Sequence, residues 1–315
     1  MEYIQVAAGL TVLVLAGDAM VRGAVSAAVK LDIPAVVIGA TVIAVGTSAP
    51  ELVVGIDSVL GGYPTLALGN VVGSNVANIL LAVGLPAMVI PVICSAPGVL
   101  RTNVVMLLAT GVFLLAGVAG SFSWPTGTLF LALLVGYILD SIRSAKSAPT
   151  AAAENSDEIA DAAQLGTLAT AVFLLGGLVG VIFGADWLVD GAVVIARNVG
   201  VSEAIIGLTL VALGTSLPEL ATGLIAAFRG HGDVAVGNVI GSNVFNLLGI
   251  VGACALVGKI PIPEVFWRFD LWVMAGASLA MLPFCLAGKP IGRVSGAVFV
   301  IGYCSYIWIV TQDVF

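Results

Sequence analysis

The chain has 315 residues, of which 60% are hydrophobic and only 9% are charged, and its mean hydropathy is +1.17. A soluble domain of this length has too little interior to hide so much apolar surface, whereas a bilayer requires it. The net charge of −7 and the lack of a basic patch exclude a nucleic-acid partner. The composition therefore indicates a polytopic membrane protein.

Apolar runs that could cross a bilayer follow one another along the whole chain. A helix needs about 20 apolar residues to span the hydrocarbon core. We predict an all-α polytopic membrane protein with ten transmembrane helices, at about residues 4–28, 33–60, 65–93, 103–120, 125–142, 166–196, 203–228, 234–258, 269–287 and 292–312. They form two sets of five, at 1–142 and 166–315, joined by a hydrophilic linker at 143–165.

Two polar motifs interrupt the second and third spans, and both recur in the seventh and eighth. The first pair of motifs is GATVIAVGTSAPEL and GLTLVALGTSLPEL, and the second is GNVVGSNVANILLAVG and GNVIGSNVFNLLGIVG. A constant offset of 168 residues relates the copies, so that Glu51 corresponds to Glu219 and Asn78 to Asn246. Because five spans per half is an odd number, the second half should be inverted relative to the first. Inverted repeats are typical of secondary transporters whose site lies between the repeats.

Glu51 and Glu219 are the strongest candidates for function, because an ionised carboxylate inside a span is costly and is usually functional. The alternative is a neutral acid or one paired with a buried base, but neither motif helix carries Lys or Arg near its glutamate. Two carboxylates in a dry site repel each other unless a cation or proton lies between them. Their hard oxygen ligands suit Ca²⁺.

Pro50 and Pro218 precede the two glutamates. A proline inside a helix removes one N–H donor and displaces the carbonyl four residues earlier. Broken backbone in a membrane is tolerated where it lines a site or cavity. The oxygens of this turn are therefore candidate ligands, in Gly46, Thr47, Ser48, Gly214, Thr215 and Ser216. A simple kink, with Ser and Thr bonded to their own helix, is the alternative.

The second motif places polar residues four apart, on one face of a helix. This stripe contains Asn70, Ser74 and Asn78 in the first copy and Asn238, Ser242 and Asn246 in the second. Glycines with the same spacing permit close helix approach, so the stripe can reach the glutamates. Interhelical hydrogen bonding alone is the alternative. It suits Asn70, Asn75, Asn238 and Asn243 better than Ser74, Asn78, Ser242 and Asn246.

The basic residues indicate an orientation, because cytoplasmic loops carry an excess of Lys and Arg. With the N-terminus outside, eight basic residues fall on the cytoplasmic side: Arg22, Lys30, Arg101, Arg143, Lys146, Arg229, Lys289 and Arg293. Only Arg197, Lys259 and Arg268 then fall outside. We therefore predict a multi-pass protein of the cell membrane with both termini extracytoplasmic.

The paired motifs closely resemble the two alpha-repeats of the cation/Ca²⁺ antiporter superfamily, and most of all its prokaryotic sodium/calcium exchanger branch. The resemblance implies a secondary active antiporter that exchanges Ca²⁺ for Na⁺ by alternating access, with no cofactor. It also implies a core of spans 2, 3, 7 and 8, across which spans 1 and 6 slide. By motif position, the Ca²⁺ ligands would be Glu51 and Glu219 with the carbonyls of Thr47 and Thr215. The Na⁺ ligands would add Ala44, Ser48, Ser74, Ala212, Ser216 and Ser242, with Asn78 and Asn246 completing the centre.

One departure from the family bears on the coupling ion. Some members carry Asp at one of the positions held here by Asn78 and Asn246, and the K⁺-dependent branch typically does. The two amides therefore disfavour K⁺ coupling. The H⁺/Ca²⁺ branch commonly differs around its glutamates, which favours Na⁺ but leaves an H⁺/Ca²⁺ antiporter of the same fold as an alternative. A divalent-cation channel is the rival from another class. An enzyme is not expected, since no Ser–His, Cys–His or HExxH set is present.

Overall fold

The computed structural model of the chain describes residues 1–145, 165–200 and 212–312. In chain order, its helices are α1 (Glu2–Leu31), α2 (Ala35–Thr47), α3 (Ala49–Leu60), α4 (Pro64–Val89), α5 (Val99–Gly117), α6 (Trp124–Ala145), α7 (Thr167–Asn198), α8 (Ala212–Thr215), α9 (Leu217–Phe228), α10 (Gly232–Val257), α11 (Glu264–Arg268), α12 (Asp270–Ala287) and α13 (Arg293–Gln312). Two short strands, β1 (Ser121–Phe122) and β2 (Ile260–Pro261), complete the described elements.

The prediction of a helical, multi-pass membrane protein is confirmed. Within the described ranges, eight helices are long and apolar enough to cross a bilayer, and the bent pair of α2 and α3 makes a ninth span. The predicted seventh span begins at 203, outside the described residues, and its described part consists of α8 and α9. Most of the predicted linker, from 146 to 164, also lies outside them. The count of ten spans stays a prediction.

Two of the predicted spans differ in detail from the helices. The second is not one continuous helix, because α2 and α3 meet at an angle of 42° around Ser48. The fourth was expected to begin at about residue 103, but α5 begins at Val99. Its preceding residue, Gly98, has φ 93°, a left-handed conformation that glycine adopts readily and that turns the chain directly into the helix.

The two strands form a small antiparallel ribbon outside the helices. Ser121 pairs with Pro261 and Phe122 with Ile260, so the turn after α5 is bonded to the turn after α10. An isolated bridge between Val92 and Ile291 joins the turn after α4 to the one before α13 in the same way. These contacts tie the ends of helices from the two halves of the chain.

Helices α4 and α10 form the centre of the molecule. Other residues bury 72% of the most apolar stretch of α4 and 89% of that of α10, against 33% or less in the other long apolar helices described. Enclosed helices of this kind can carry polar side chains without presenting them to lipid. The two motifs with Asn and Ser therefore lie where a polar site can be sheltered.

Close contact between α2 and α10 brings the first motif against the second. A Cβ atom built on Gly241 would lie 2.4 Å from the main-chain oxygen of Ala40, so only glycine fits there. Gly237 approaches the main-chain oxygen of Val36 equally closely. Because α2 ends at Thr47, this packing fixes the broken turn beside the polar face of α10.

Candidate functional site

The same break in the helix occurs in both halves of the chain. Ser48 separates α2 from α3 with φ −87° and ψ 10°, and Ser216 separates α8 from α9 with φ −90° and ψ 2°. Pro50 and Pro218 lie in the first turn of the helices that follow, where a missing N–H costs least. The interruption predicted at each proline is thus a short non-helical step at the preceding serine.

Glu51 and Glu219 lie in the first turns of α3 and α9, where the helix dipole favours negative charge. Their side chains are 1% and 0% exposed, and Ser48, three residues before Glu51, donates a hydrogen bond to the carboxyl group of Glu219. Of the ion pairs formed between described residues, none includes either glutamate. The site therefore brings together two acidic groups without a basic counter-ion from the described part of the chain.

The two glutamates have unlike surroundings despite their matching positions. Glu219 Oε1 accepts hydrogen bonds from Ser48 Oγ at 2.8 Å and from Ser242 Oγ at 3.3 Å. Among the described residues, neither oxygen of Glu51 has a hydrogen-bond partner, and neither does the hydroxyl of Ser216. Buried acceptors are normally satisfied, so the carboxyl oxygens of Glu51 are candidate ligands for a cation.

The central amides differ from each other in the same way. Asn78 Nδ2 donates to Asn243 Oδ1 at 3.0 Å, which links α4 to α10, while Asn78 Oδ1 is buried without a partner in the described ranges. Neither polar atom of the Asn246 side chain has a partner among those residues. Both asparagines thus have a buried side-chain oxygen without a partner among the described residues.

Two other candidate residues, Thr47 and Ser242, lie where α2 meets α10. Ser242 Oγ lies 3.5 Å from the main-chain oxygen of Ala44, and Thr47 Oγ1 lies 3.2 Å from Asn238 Oδ1. Thr215 has a buried hydroxyl for which the described residues supply no partner. Ser74 is buried on α4, and Ala212 begins α8, where only its backbone is described.

The structure also buries a polar residue on α5 that the sequence patterns did not single out. Asn103 on α5 is fully buried, and neither of its side-chain polar atoms has a partner within the described part of the chain. It lies outside both motifs, so the repeat gives no signal for it. An asparagine within the apolar run 99–117 was the one available indication.

The donor set consists of two carboxylates surrounded by amide, hydroxyl and main-chain oxygens. Hard cations such as Ca²⁺, Mg²⁺ and Na⁺ prefer oxygen ligands, whereas softer transition metals prefer sulfur and imidazole. A buried pair of acids, beside oxygen atoms for which the described ranges supply no partner, suits a cation that enters and leaves. The fold and the site together define a membrane transport protein.

The chain belongs to the sodium/calcium exchanger family. The family described as "Sodium/calcium exchanger protein" matches residues 1–143 and 169–312. Inner membrane protein YrbG of Escherichia coli is 33% identical over 305 residues, which cover 96% of this chain and 93% of that protein. Sodium/calcium exchanger MaX1 of Methanosarcina acetivorans is 29% identical over 95% of each protein.

A solved structure of the sodium-calcium exchanger NCX_Mj has the same fold. It superposes with a TM-score of 0.83 at 33% identity, and the match covers 97% of both chains. The family resemblance predicted from the motifs is therefore confirmed over nearly the whole length. Its members transport ions, which points to transport without enzymatic chemistry.

Proposed function

We propose that this protein exchanges Ca²⁺ for Na⁺ across the cell membrane by alternating access. The observation that carries the proposal is the buried pair Glu51 and Glu219, which has no basic partner among the described residues. The pair supplies two fixed negative charges, which one Ca²⁺ neutralises. Na⁺ ions bound to the same oxygens compensate the same charge. MaX1 and NCX_Mj, similar over nearly their whole length, are named as sodium/calcium exchangers.

We assign the ion ligands by position in the two motifs. Ca²⁺ is bound by the carboxylates of Glu51 and Glu219 and by the carbonyls of Thr47 and Thr215. Na⁺ sites draw on Ala44, Ser48, Ser74, Ala212, Ser216 and Ser242, with Asn78 and Asn246 at the centre. The assignment is supported by the hydrogen bonds that Glu219 accepts from Ser48 and Ser242, and by the oxygens of Glu51, which have no partner among the described residues.

Ten spans in two inverted repeats fit the contacts between α1 and α7. A Cβ atom built on Gly9 would lie 2.5 Å from the Leu188 nitrogen, and one on Gly177 would lie 2.5 Å from the Met20 nitrogen. Gly9 and Gly177 are 168 residues apart, as are Met20 and Leu188, so the two contacts exchange partners as a two-fold relation requires. In this scheme α1 and α7 slide together across the other helices, and both termini are extracytoplasmic.

Na⁺ coupling can be separated from its alternatives in proteoliposomes that contain the purified full-length protein. Ca²⁺ uptake should follow an outward Na⁺ gradient and should not respond to K⁺ or H⁺ gradients imposed separately. Uptake driven by a proton gradient alone would instead identify an H⁺/Ca²⁺ antiporter. Uptake without any counter-ion gradient would identify a channel and contradict exchange altogether.

Ca²⁺ and Na⁺ should compete for the protein, because both need the same oxygens around the same carboxylates. Equilibrium Ca²⁺ binding is therefore expected to weaken continuously as Na⁺ replaces an inert organic cation at constant ionic strength. A ligand shifts the equilibrium between two conformations only through its different affinity for each. If Ca²⁺ and Na⁺ could occupy the site together, the binding of one ion would no longer depend on the release of the other. A Ca²⁺ affinity that stays constant over the Na⁺ titration would contradict exchange by competition.

A further inference from the structure

A chain of buried amides connects α4 to α10 next to the proposed ion site. Asn78 Nδ2 donates to Asn243 Oδ1 at 3.0 Å, and Asn243 Nδ2 donates to the main-chain oxygen of Asn75 at 3.2 Å. All three side chains are 0–1% exposed. The motif positions gave Asn243 a packing role, but its side chain contacts a proposed ligand directly.

The direction of this chain is fixed by its last member. A main-chain carbonyl can only accept a hydrogen bond, so it must face the Nδ2 of Asn243. The Oδ1 of Asn243 then faces Asn78, and Asn78 must donate its Nδ2 to it. The carbonyl oxygen of Asn78 is left over, and no described residue bonds to it. The opposite orientation of either amide would place two donors or two acceptors face to face.

We propose that Asn243 is a positioning residue, which holds Asn78 so that its carbonyl oxygen, and not its NH₂ group, is available to the transported cation. This inference rests on the proposed function of the site. The two ends of an amide are nearly the same size but opposite in polarity, so a cation distinguishes them sharply. Fixing the rotation of Asn78 before the ion arrives removes the orientations that would repel it.

Asn75 provides a control within the same molecule. It occupies the equivalent place in the first repeat and is equally buried, but its Nδ2 donates to Val71 in its own helix at 2.7 Å. Asn246, the equivalent of Asn78, receives no hydrogen bond from Asn75 or from any other described residue. Of the two equivalent amides, Asn78 alone is thus held by a described residue, a difference that the matching motifs do not indicate.

The test compares Asn243→Leu with Asn75→Leu in the full-length protein, by Ca²⁺ uptake into Na⁺-loaded proteoliposomes. We expect the KM for Ca²⁺ to rise about 10- to 100-fold in Asn243→Leu, as for lost partners of metal ligands, with turnover at saturating Ca²⁺ retained. Asn75→Leu should keep the parent KM. A purely structural defect would lower the amount of active protein and leave KM unchanged. Asn243→Ser, whose short side chain cannot reach both partners, replaces Asn243→Leu if that variant does not fold.

A second comparison asks whether Asn243 acts through Asn78. In an Asn78→Ala background, Asn243→Leu should cause no further change in KM, because the group that it positions is already gone. Effects that add independently would overturn the proposal, as would equal KM shifts in Asn243→Leu and Asn75→Leu. A parent protein that does not exchange Ca²⁺ would overturn the proposed function as well. An active parent with a parent-like Asn243→Leu would overturn this inference alone.

Discussion

Glu219→Gln is expected to abolish Ca²⁺ exchange while leaving the protein folded. The substitution removes half of the fixed negative charge of the proposed site, and the remaining carboxylate cannot neutralise a divalent cation. Glutamine is isosteric and easier to bury than an ionised acid, and it can still accept the hydrogen bonds of Ser48 and Ser242. Glu51→Gln should have the same effect on transport, measured as Na⁺-dependent Ca²⁺ uptake into proteoliposomes.

Glu264→Gln is the matched control for these variants. Glu264 lies on α11 with its side chain 80% exposed and paired only weakly with Arg268, so its loss should leave uptake at the parent rate. Size-exclusion profiles of all three variants should match the parent. Parent-like transport by well-folded Glu219→Gln would show that the paired carboxylates are not the ion site.

Gly241→Ala is expected to destabilise the protein severely. Its added methyl group would lie 2.4 Å from the main-chain oxygen of Ala40, and a backbone atom cannot turn aside as a flexible side chain can. Overpacking of a core typically lowers the free energy of unfolding by about 1–3 kcal/mol. We expect a value near the upper end of this range, because α2 and α10 would have to move apart. Thermal unfolding of the detergent-solubilised protein should show a clearly lower midpoint than the parent.

Gly276→Ala controls for the change from glycine to alanine itself. Gly276 is exposed on α12, and no described atom lies within 4 Å of a Cβ built there. Alanine favours helix more than glycine does, so the unfolding midpoint should stay the same or rise slightly. Equal midpoints for Gly241→Ala and Gly276→Ala would mean that α2 and α10 can separate without cost.

The sequence predicts most of the helices because the bilayer acts on each apolar segment separately. Each apolar run must satisfy its own backbone as a helix, whatever its neighbours do. Ser48 and Ser216 hold the same place in the repeated motif, and they have nearly identical backbone angles. Such local features depend mainly on the residues of the segment itself, so the sequence predicts them.

Contacts between the two halves cannot be predicted from the repeated motifs in this way. Glu51 and Glu219 occupy equivalent motif positions, but only Glu219 receives hydrogen bonds from serines. Asn75 and Asn243 are likewise equivalent, but Asn75 bonds within its own helix and Asn243 across to α4. A motif that is shared by both copies cannot specify differences of this kind. Asn103 illustrates the same limit, because it is buried although it lies outside both motifs.

Three hydrogen bonds of the site cross between the halves of the chain. Ser48 is bonded to Glu219, Asn78 to Asn243 and Thr47 to Asn238, so each bond joins one copy of the motifs to the other. One half alone carries a single carboxylate and only one partner of each of these hydrogen bonds. It would need to associate with a second copy to complete the pocket. Joining both copies in one polypeptide keeps the effective concentration of the second half permanently high. A single polypeptide also allows the sequence of each copy to change independently, whereas every substitution in an assembly of identical halves appears in both.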